Sequence, residues 1–461
     1  MEKRSQTLTS RLHRTALIAA MIVCCSMLPC ATAQNDGRPT VSLTLPKAVN
    51  MAMQNNRRLK LAHLSVAESE TKRTIAQSNY YPHISNLSTA SHVTELQGVI
   101  IPAGTFGSSA ATGPIPGQQL LIGQGALSAY TSGTGLTQPL TQMFKIRAGD
   151  RAAAADVRTA QIDETDAENS TSLLVHQMYF DMLTAQAHLD AARQSVSAAS
   201  VVEAESKRAV AEGKSLDVAA LQAHAAYLDR QQAVLTQQLA IDDATMQFDD
   251  VLGLPLGTRL ILDGNDLGPS PVLPSRDEAI AVVKASNPKV LAARQTVEKA
   301  RAAVSAAHDA YIPDLSGFAR YSYQSGVPFL VHNFGTFGGI FTYDLFDGGA
   351  REAKLKQAKI QLQMAEIQLQ QTESDVAIQI SASYDKIEQL QQLVSVVDEA
   401  LKARIEAARV SAQRVTQNAE LASGAANDDA AIYDTRASLL GARLGLFLAQ
   451  NNIQQMLGQR P

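Results

Sequence analysis

The sequence predicts a mainly α-helical protein with a small transmembrane β part, built as two copies of one unit. Three observations carry this expectation. First, residues 150–212 and 350–423 contain neither glycine nor proline, and the second stretch sets Leu355, Leu362, Ile367, Ile378, Ile387, Leu390, Val394, Val397 and Leu401 at helical spacing. At about 1.5 Å per residue such a helix reaches roughly 100 Å, far beyond a bilayer core. Charges from Arg351 to Glu399 interrupt it throughout, so it is no membrane span, and its partial apolar stripe needs neighbouring helices. Second, Asn56/Asn287, Tyr80/Tyr311, Pro82/Pro313 and Ser85/Ser316 stand 231 apart, whereas Leu140/Leu345, Tyr179/Tyr384, Leu235/Leu440, Leu252/Leu457 and Gly253/Gly458 stand 205 apart. Two ungapped registers differing by 26 residues mean a duplication with one insertion, which falls in the loop-like, Gly-, Ala-, Ser- and Pro-rich interval 98–125. Third, each copy places a Tyr-x-Pro before two segments of strand length.

Taken in order, residues 1–33 read as a secretory signal peptide. Lys3, Arg4, Arg11 and Arg14 precede the apolar run 16–28, and Ala31-Thr32-Ala33 offers a cleavage site. All three cysteines, Cys24, Cys25 and Cys30, lie in it, so the mature chain carries no disulfide. A lipid-modified cysteine is the alternative, which Pro29 disfavours. The first structural repeat spans 34–253: a helix over 46–79, strands over 84–96 and 126–140, the long helix, a break near Gly213 and a return helix to Gly253. A linker with four prolines follows at 254–275. The second repeat, 276–461, has a helix over 276–310, strands over 315–324 and 334–346, the long helix, a break near Gly424 and a return helix ending at Leu457-Gly458.

Strands of about ten residues, when tilted, are long enough to cross a bilayer. An open sheet is excluded from lipid, because its edge N–H and C=O groups would go unsatisfied. Four strands are too few to close, so copies of the chain must share a barrel: two supply eight strands, three supply twelve and room for a lumen. Helices packed in the same ring extend the passage beyond the membrane as an α-barrel.

The residues that mark these junctions resemble the TolC family of outer-membrane efflux proteins across nearly all of the mature sequence. They are Asn287-Pro288 in the first helix, Tyr80-Tyr81-Pro82 and Tyr311-Ile312-Pro313 before the strands, and Gln138-Pro139-Leu140 and Leu345-Phe346-Asp347-Gly348-Gly349 at the strand exits. Gly213-x-Ser215-Leu216-Asp217-Val218 at the first tip and the closing Leu457-Gly458 complete the set. The resemblance implies a homotrimer in outer-membrane lipid, with a twelve-stranded barrel and a twelve-helix periplasmic tunnel. It also implies a periplasmic adaptor as partner and an inner-membrane transporter, of the RND, ABC or MFS type, that supplies the energy. In several members the periplasmic mouth is closed by aspartates of the second copy. Those positions fall here on Gly424 and Asn427, neither acidic, with Asp428 and Asp429 beside them. Asp428 or Asp429 is therefore expected to form a cation-sensitive constriction, the alternative being two solvated charges at a helix start. Gly213, Ser215, Leu216 and Asp217 are expected to shape the first tip for an adaptor, although capping alone explains Ser215 and Asp217.

No catalytic constellation is visible. The mature histidines are scattered without an i, i+4 metal pairing, and the glycine-rich runs lack the Lys-Ser/Thr ending of a phosphate loop. No cofactor or metal is expected, and no enzymatic activity. Removing residues 1–33 takes the formal charge from −4 to −7, a poor match to nucleic acid. A periplasmic coiled-coil adaptor or a structural coiled coil remain the alternatives. The first would carry one hairpin flanked by β-rich modules, the second no Tyr-x-Pro strand segments.

Overall fold

The computed structural model describes residues 39–95, 98–123, 127–264, 271–326 and 331–461. The expected leader, with Cys24, Cys25 and Cys30, lies outside the described residues. The first copy runs β1 (Thr40–Leu43), α1 (Leu45–Asn55), α2 (Arg57–Ser78), β2 (His83–His92), the short strands β3 (Gly98–Ile101), β4 (Ser108–Ser109), β5 (Gly113–Pro114) and β6 (Leu120–Gly123), then β7 (Ser128–Pro139), α3 (Met143–Ala211), α4 (Asp217–Leu252) and β8 (Arg259–Leu262). The second runs α5 (Arg276–Ser286), α6 (Pro288–Asp309), β9 (Asp314–Ser325), β10 (Asn333–Thr342), α7 (Ala350–Thr416) and α8 (Ala422–Met456).

The long helices have 69 and 67 residues, so each spans roughly 100 Å. The helix expected before each Tyr-x-Pro is in fact two. It breaks at Asn56 and Asn287, which hold extended backbone at ψ 125° and 128° and turn their side chains onto the next helix. Asn56 Oδ1 accepts from Arg58 N at 2.8 Å and Asn287 Oδ1 from Lys289 N at 2.9 Å, the capping that short polar side chains provide. Their amides then donate to the ends of the return helices, Asn56 to Val251 O at 3.3 Å and Asn287 to Met456 O at 2.8 Å. Thus α2 starts where α4 ends and α6 starts where α8 ends, and each pair together flanks most of a long helix.

The two cores occupy the same positions in the two copies. Ala48, Ala52, Val175, Met182, Phe248 and Leu252 are answered by Ala279, Val283, Ile380, Ile387, Ile453 and Leu457, each pair at one of the two repeat spacings. A tyrosine, buried in the first copy and half-buried in the second, anchors the chain entering each copy. Tyr179 Oη donates to Leu43 O at 2.9 Å and accepts from Asp263 N, and Tyr384 Oη donates to Pro274 O at 2.6 Å. The expected linker is not bare coil: β8 lies in it and pairs in parallel with β1. Four residues of Arg-Leu-Ile-Leu among prolines carry too little pattern to be read as a strand.

Four helices make one open layer at either level. Where α2 and α6 lie, the order is α2, α3, α6, α7, and where the return helices lie it is α4, α3, α8, α7. The main sheet repeats that order as β2, β7, β9, β10, antiparallel throughout. The insertion after β2 carries two small antiparallel pairs, β3 with β6 and β4 with β5.

Candidate functional site

Strands of 10, 12, 12 and 10 residues rise about 3.3 Å per residue, so when tilted by about 40° they span roughly 25–30 Å. The register sorts their side chains onto two faces. One carries Ile84, Tyr130, Leu136, Leu315, Tyr321, Tyr323, Phe337 and Phe341, and it has no Asp, Glu, Lys or Arg, with one histidine, His92, at the rim. Its aromatics gather toward both ends, with Tyr130 and Tyr323 packed 6.0 Å apart at one and Phe341 beside Leu315 at the other. The polar residues on this face satisfy one another: Asn86 Nδ2 donates to Thr134 Oγ1 at 2.9 Å and Ser88 Oγ to Asn86 Oδ1 at 2.8 Å. This face suits lipid. The other carries Asp314, Arg320, Gln324, Thr131 and His83 together with Leu87, Phe318, Phe334 and Ile340, and Gly133 and Gly135 open its middle.

The sheet is tied firmly to the helices below it. Thr141 Oγ1 donates to Pro313 O at 2.7 Å and accepts from Leu315 N at 2.8 Å, while Lys145 pairs with Asp314 at 2.7 Å. Gln138 Nε2 donates to Tyr80 O at 3.0 Å. Arg351 binds Asp347 at 2.8 Å and lies over the rings of Tyr311 and Tyr343. The Tyr-x-Pro and strand-exit residues are thus the joint between the two parts.

At the other end are the hairpin tips. Gly213 takes φ +72°, and Lys214 N donates to Ala209 O at 2.8 Å, the bond that closes a helix through a left-handed residue. In the second copy the break is not at Gly424. It is at Asn418, φ +54°, with Ala419 N donating to Arg414 O at 2.9 Å, and 418 lies the repeat spacing of 205 beyond 213. Asparagine is the residue other than glycine that most readily takes this conformation. Gly424 sits in the first turn of α8, where Glu420 Oε1 lies 2.7 Å from the place a Cβ would take. Nor do Ser215 or Asp217 cap α4: Leu216 holds the cap position with no side-chain bond, and Asp217 begins the helix, where its charge favours the dipole.

The candidate constriction residues are split by the helix they share. Asp428 turns into its own hairpin and accepts from Ser411 Oγ on α7, whereas Asn427 and Asp429 are exposed. The first tip exposes Leu216 at 78%, with Val218 and Leu221 beside it. The second leans on the first copy: Ser423 N donates to Glu205 Oε1 on α3 at 3.2 Å. Just above the first tip, Glu203 on α3 accepts from Lys207 and lies 2.9 Å from His224 Nδ1 on α4. The bond from Lys207, then that from His224, holds the Glu203 carboxyl below the usual carboxylate range. Among the described residues no group of three acidic, histidine or cysteine side chains could hold a metal, and no helix is long and apolar enough to cross a membrane.

The model of the outer membrane efflux protein family matches residues 48–254 and 279–459. The chain belongs to that family. Three solved structures share the fold of this outer-membrane efflux channel: CusC, with a TM-score of 0.72 and 17% identity over 93% of this chain and 96% of that one; MtrE of Neisseria gonorrhoeae in its open state, at 0.71 and 18% over 90% and 89%; and the outer membrane protein VceC of Vibrio cholerae, at 0.69 and 17% over 90% and 96%. No curated protein sequence matches. With the family established, the efflux channel belongs in the outer membrane and extends into the periplasm, and the readings as a coiled-coil adaptor or a structural coiled coil fall away. Sequence reasoning about the channel missed the Glu205 contact and the exposed row beyond Leu216. It also missed Arg320, whose signal was a single basic residue inside a strand.

Proposed function

We propose that three copies of this chain close into one channel, and that the tips of its hairpins receive a periplasmic adaptor coupled to an inner-membrane transporter. Support comes from open flanks that coincide in sheet and helices. Strands β2 and β10 are edges from opposite copies, and the β2 side of the protomer exposes Leu61 and Leu64 on α2 with Leu235 and Leu239 on α4. The opposite side, on α7, exposes Met364 at 64%, Ile367 at 64% and Ile378 at 67%. Flanks that are both apolar and hydrogen-bond-hungry call for a neighbour, and a ring leaves no edge. Cargo moves through the closed ring passively, driven by the transporter.

Leu216, Val218 and Leu221 form the apolar end of the first hairpin that suits an adaptor, with Gly213, Ser215 and Asp217 shaping the turn beneath them. Asp429, exposed where Asp428 is not, supplies the acidic group at the mouth, with Asn427 on the other flank of the helix. The mass of the detergent-extracted particle and its conductance in a planar bilayer test the closed ring: a monomer, or a trimer that passes no ions, sinks it. Multivalent-cation block tests the mouth. Asp429→Ala is expected to weaken block more than Asp428→Ala, and block unchanged in the double variant removes both residues from the constriction.

A further inference from the structure

Among the described residues Arg320 is a charge without an acidic partner, in the middle of a wall that has almost no charge. The four strands of the main sheet hold two charged residues, Asp314 and Arg320. Asp314 lies at the end that joins the helices and is taken by Lys145 at 2.7 Å. Arg320 is near the middle of β9, and among the described residues no carboxylate reaches it. Its side chain lies across Gly133 on β7, so closely that a Cβ there would come within 2.6 Å of Nη2. Glycine at 133 is what lets the guanidinium lie on the sheet, and the directly opposed residue is again glycine, Gly135. The register puts Arg320 on the face opposite Tyr130, Tyr321, Tyr323, Phe337 and Phe341. A charge at mid-membrane depth is costly in lipid, so that face looks into the lumen.

We propose that Arg320, repeated three times, makes a cationic ring at the membrane-level lumen that favours anionic small solutes as cargo over cationic ones. The proposal rests on the threefold closure described above. Twelve strands about 4.8 Å apart and tilted by about 40° give a barrel of roughly 12 Å radius. The screening length at physiological salt is about 8 Å, so an ion on the axis lies within about one and a half screening lengths of all three charges. A guanidinium keeps its charge at every working pH, and rings of arginine favour anions in pores.

The test is the chloride-to-potassium permeability ratio of the purified trimer in a planar bilayer under a KCl gradient. Near 0.1 M salt, Arg320→Gln is expected to lower the ratio by at least about twofold, Arg320→Glu to lower it further, and Arg320→Lys to retain it. In the wild type the ratio should move toward that of Arg320→Gln as salt approaches about 1 M, where the screening length is about 3 Å. That measurement needs no variant to assemble. Equal ratios in wild type, Gln and Glu proteins, or a wild-type ratio indifferent to salt, overturn the ring while leaving the channel intact. A wild-type trimer that conducts nothing overturns the closure itself and the ring with it.

Discussion

The two copies hold one backbone by different means, and the difference shows which features answer to stereochemistry and which to a surface. Both first-helix breaks keep asparagine, because one side chain must cap the next helix and also reach the return helix. Both return helices end in glycine, Gly253 at φ +71° and Gly458 at φ +79°. At the tips the same left-handed turn is met by Gly213 in one copy and Asn418 in the other, since nothing crowds the turn and either residue can enter it. What surrounds the turns has diverged. The first tip leaves Leu216 and Val218 bare, whereas the second is fastened through Ser423 to Glu205 of the first. The sheet diverges in the same way: β2 is built of small polar residues, and β9 and β10 carry most of the aromatics.

The strongest way to break the equivalence is at the closing glycines. A Cβ at 458 would sit 2.6 Å from Ser286 O, a backbone atom, and one at 253 would sit 2.6 Å from Asn55 Cβ. Gly458→Ala is expected to cost about 2–4 kcal/mol in thermal unfolding and Gly253→Ala somewhat less, because a side chain yields more readily than a carbonyl. Next come the anchoring tyrosines. Tyr179 is fully buried, so Tyr179→Phe should cost about 1–2 kcal/mol by removing the hydroxyl's bonds to Leu43 O and Asp263 N, which keep only their own 3.2 Å bond to each other, whereas the half-buried Tyr384→Phe should cost about 1 kcal/mol. The capping asparagines follow. Asn287, 5% exposed, caps two amides, and Asn287→Ala should cost about 1–2 kcal/mol, more than Asn56→Ala, measured in the same melts. Smallest is the exchange of tip residues: Gly213→Asn should change stability by less than about 0.5 kcal/mol, whereas Gly213→Val should lower it measurably. Equal effects of Asn and Val at 213 would show that the left-handed turn is not what holds that tip.

Acid separates the hairpins in a further way. The lowered Glu203 group contributes stability that is present above the ordinary carboxylate range and is lost as pH falls through its lowered one. Protection from hydrogen exchange around Glu203 and His224, taken relative to the intrinsic rate at each pH, should therefore fall in acid, and Glu203→Gln should remove that response.

Much of the fold was legible because it is periodic or repeated. The long helices follow from two stretches without glycine or proline, and the equivalence of Val175 with Ile380 and Leu252 with Leu457 follows from spacing alone. The second tip was also within reach, since 213 and the 205 spacing point to Asn418, but glycine is the louder turn signal and drew the expectation to Gly424. The breaks at Asn56 and Asn287 were less accessible. Local propensity is weak there, and the break is held by bonds to Val251 and Met456, which lie far along the chain.

By itself, then, the sequence determined the duplication, the lengths of the two long helices and the existence of the four strands of the main sheet, because each is a local or repeated pattern along the chain. Tertiary structure decided which face of the sheet carries Arg320, that Asp428 turns inward while Asp429 does not, and that the open flanks of sheet and helices coincide. Those facts depend on register and packing between residues more than a hundred positions apart in several cases, and no pattern along the chain encodes them.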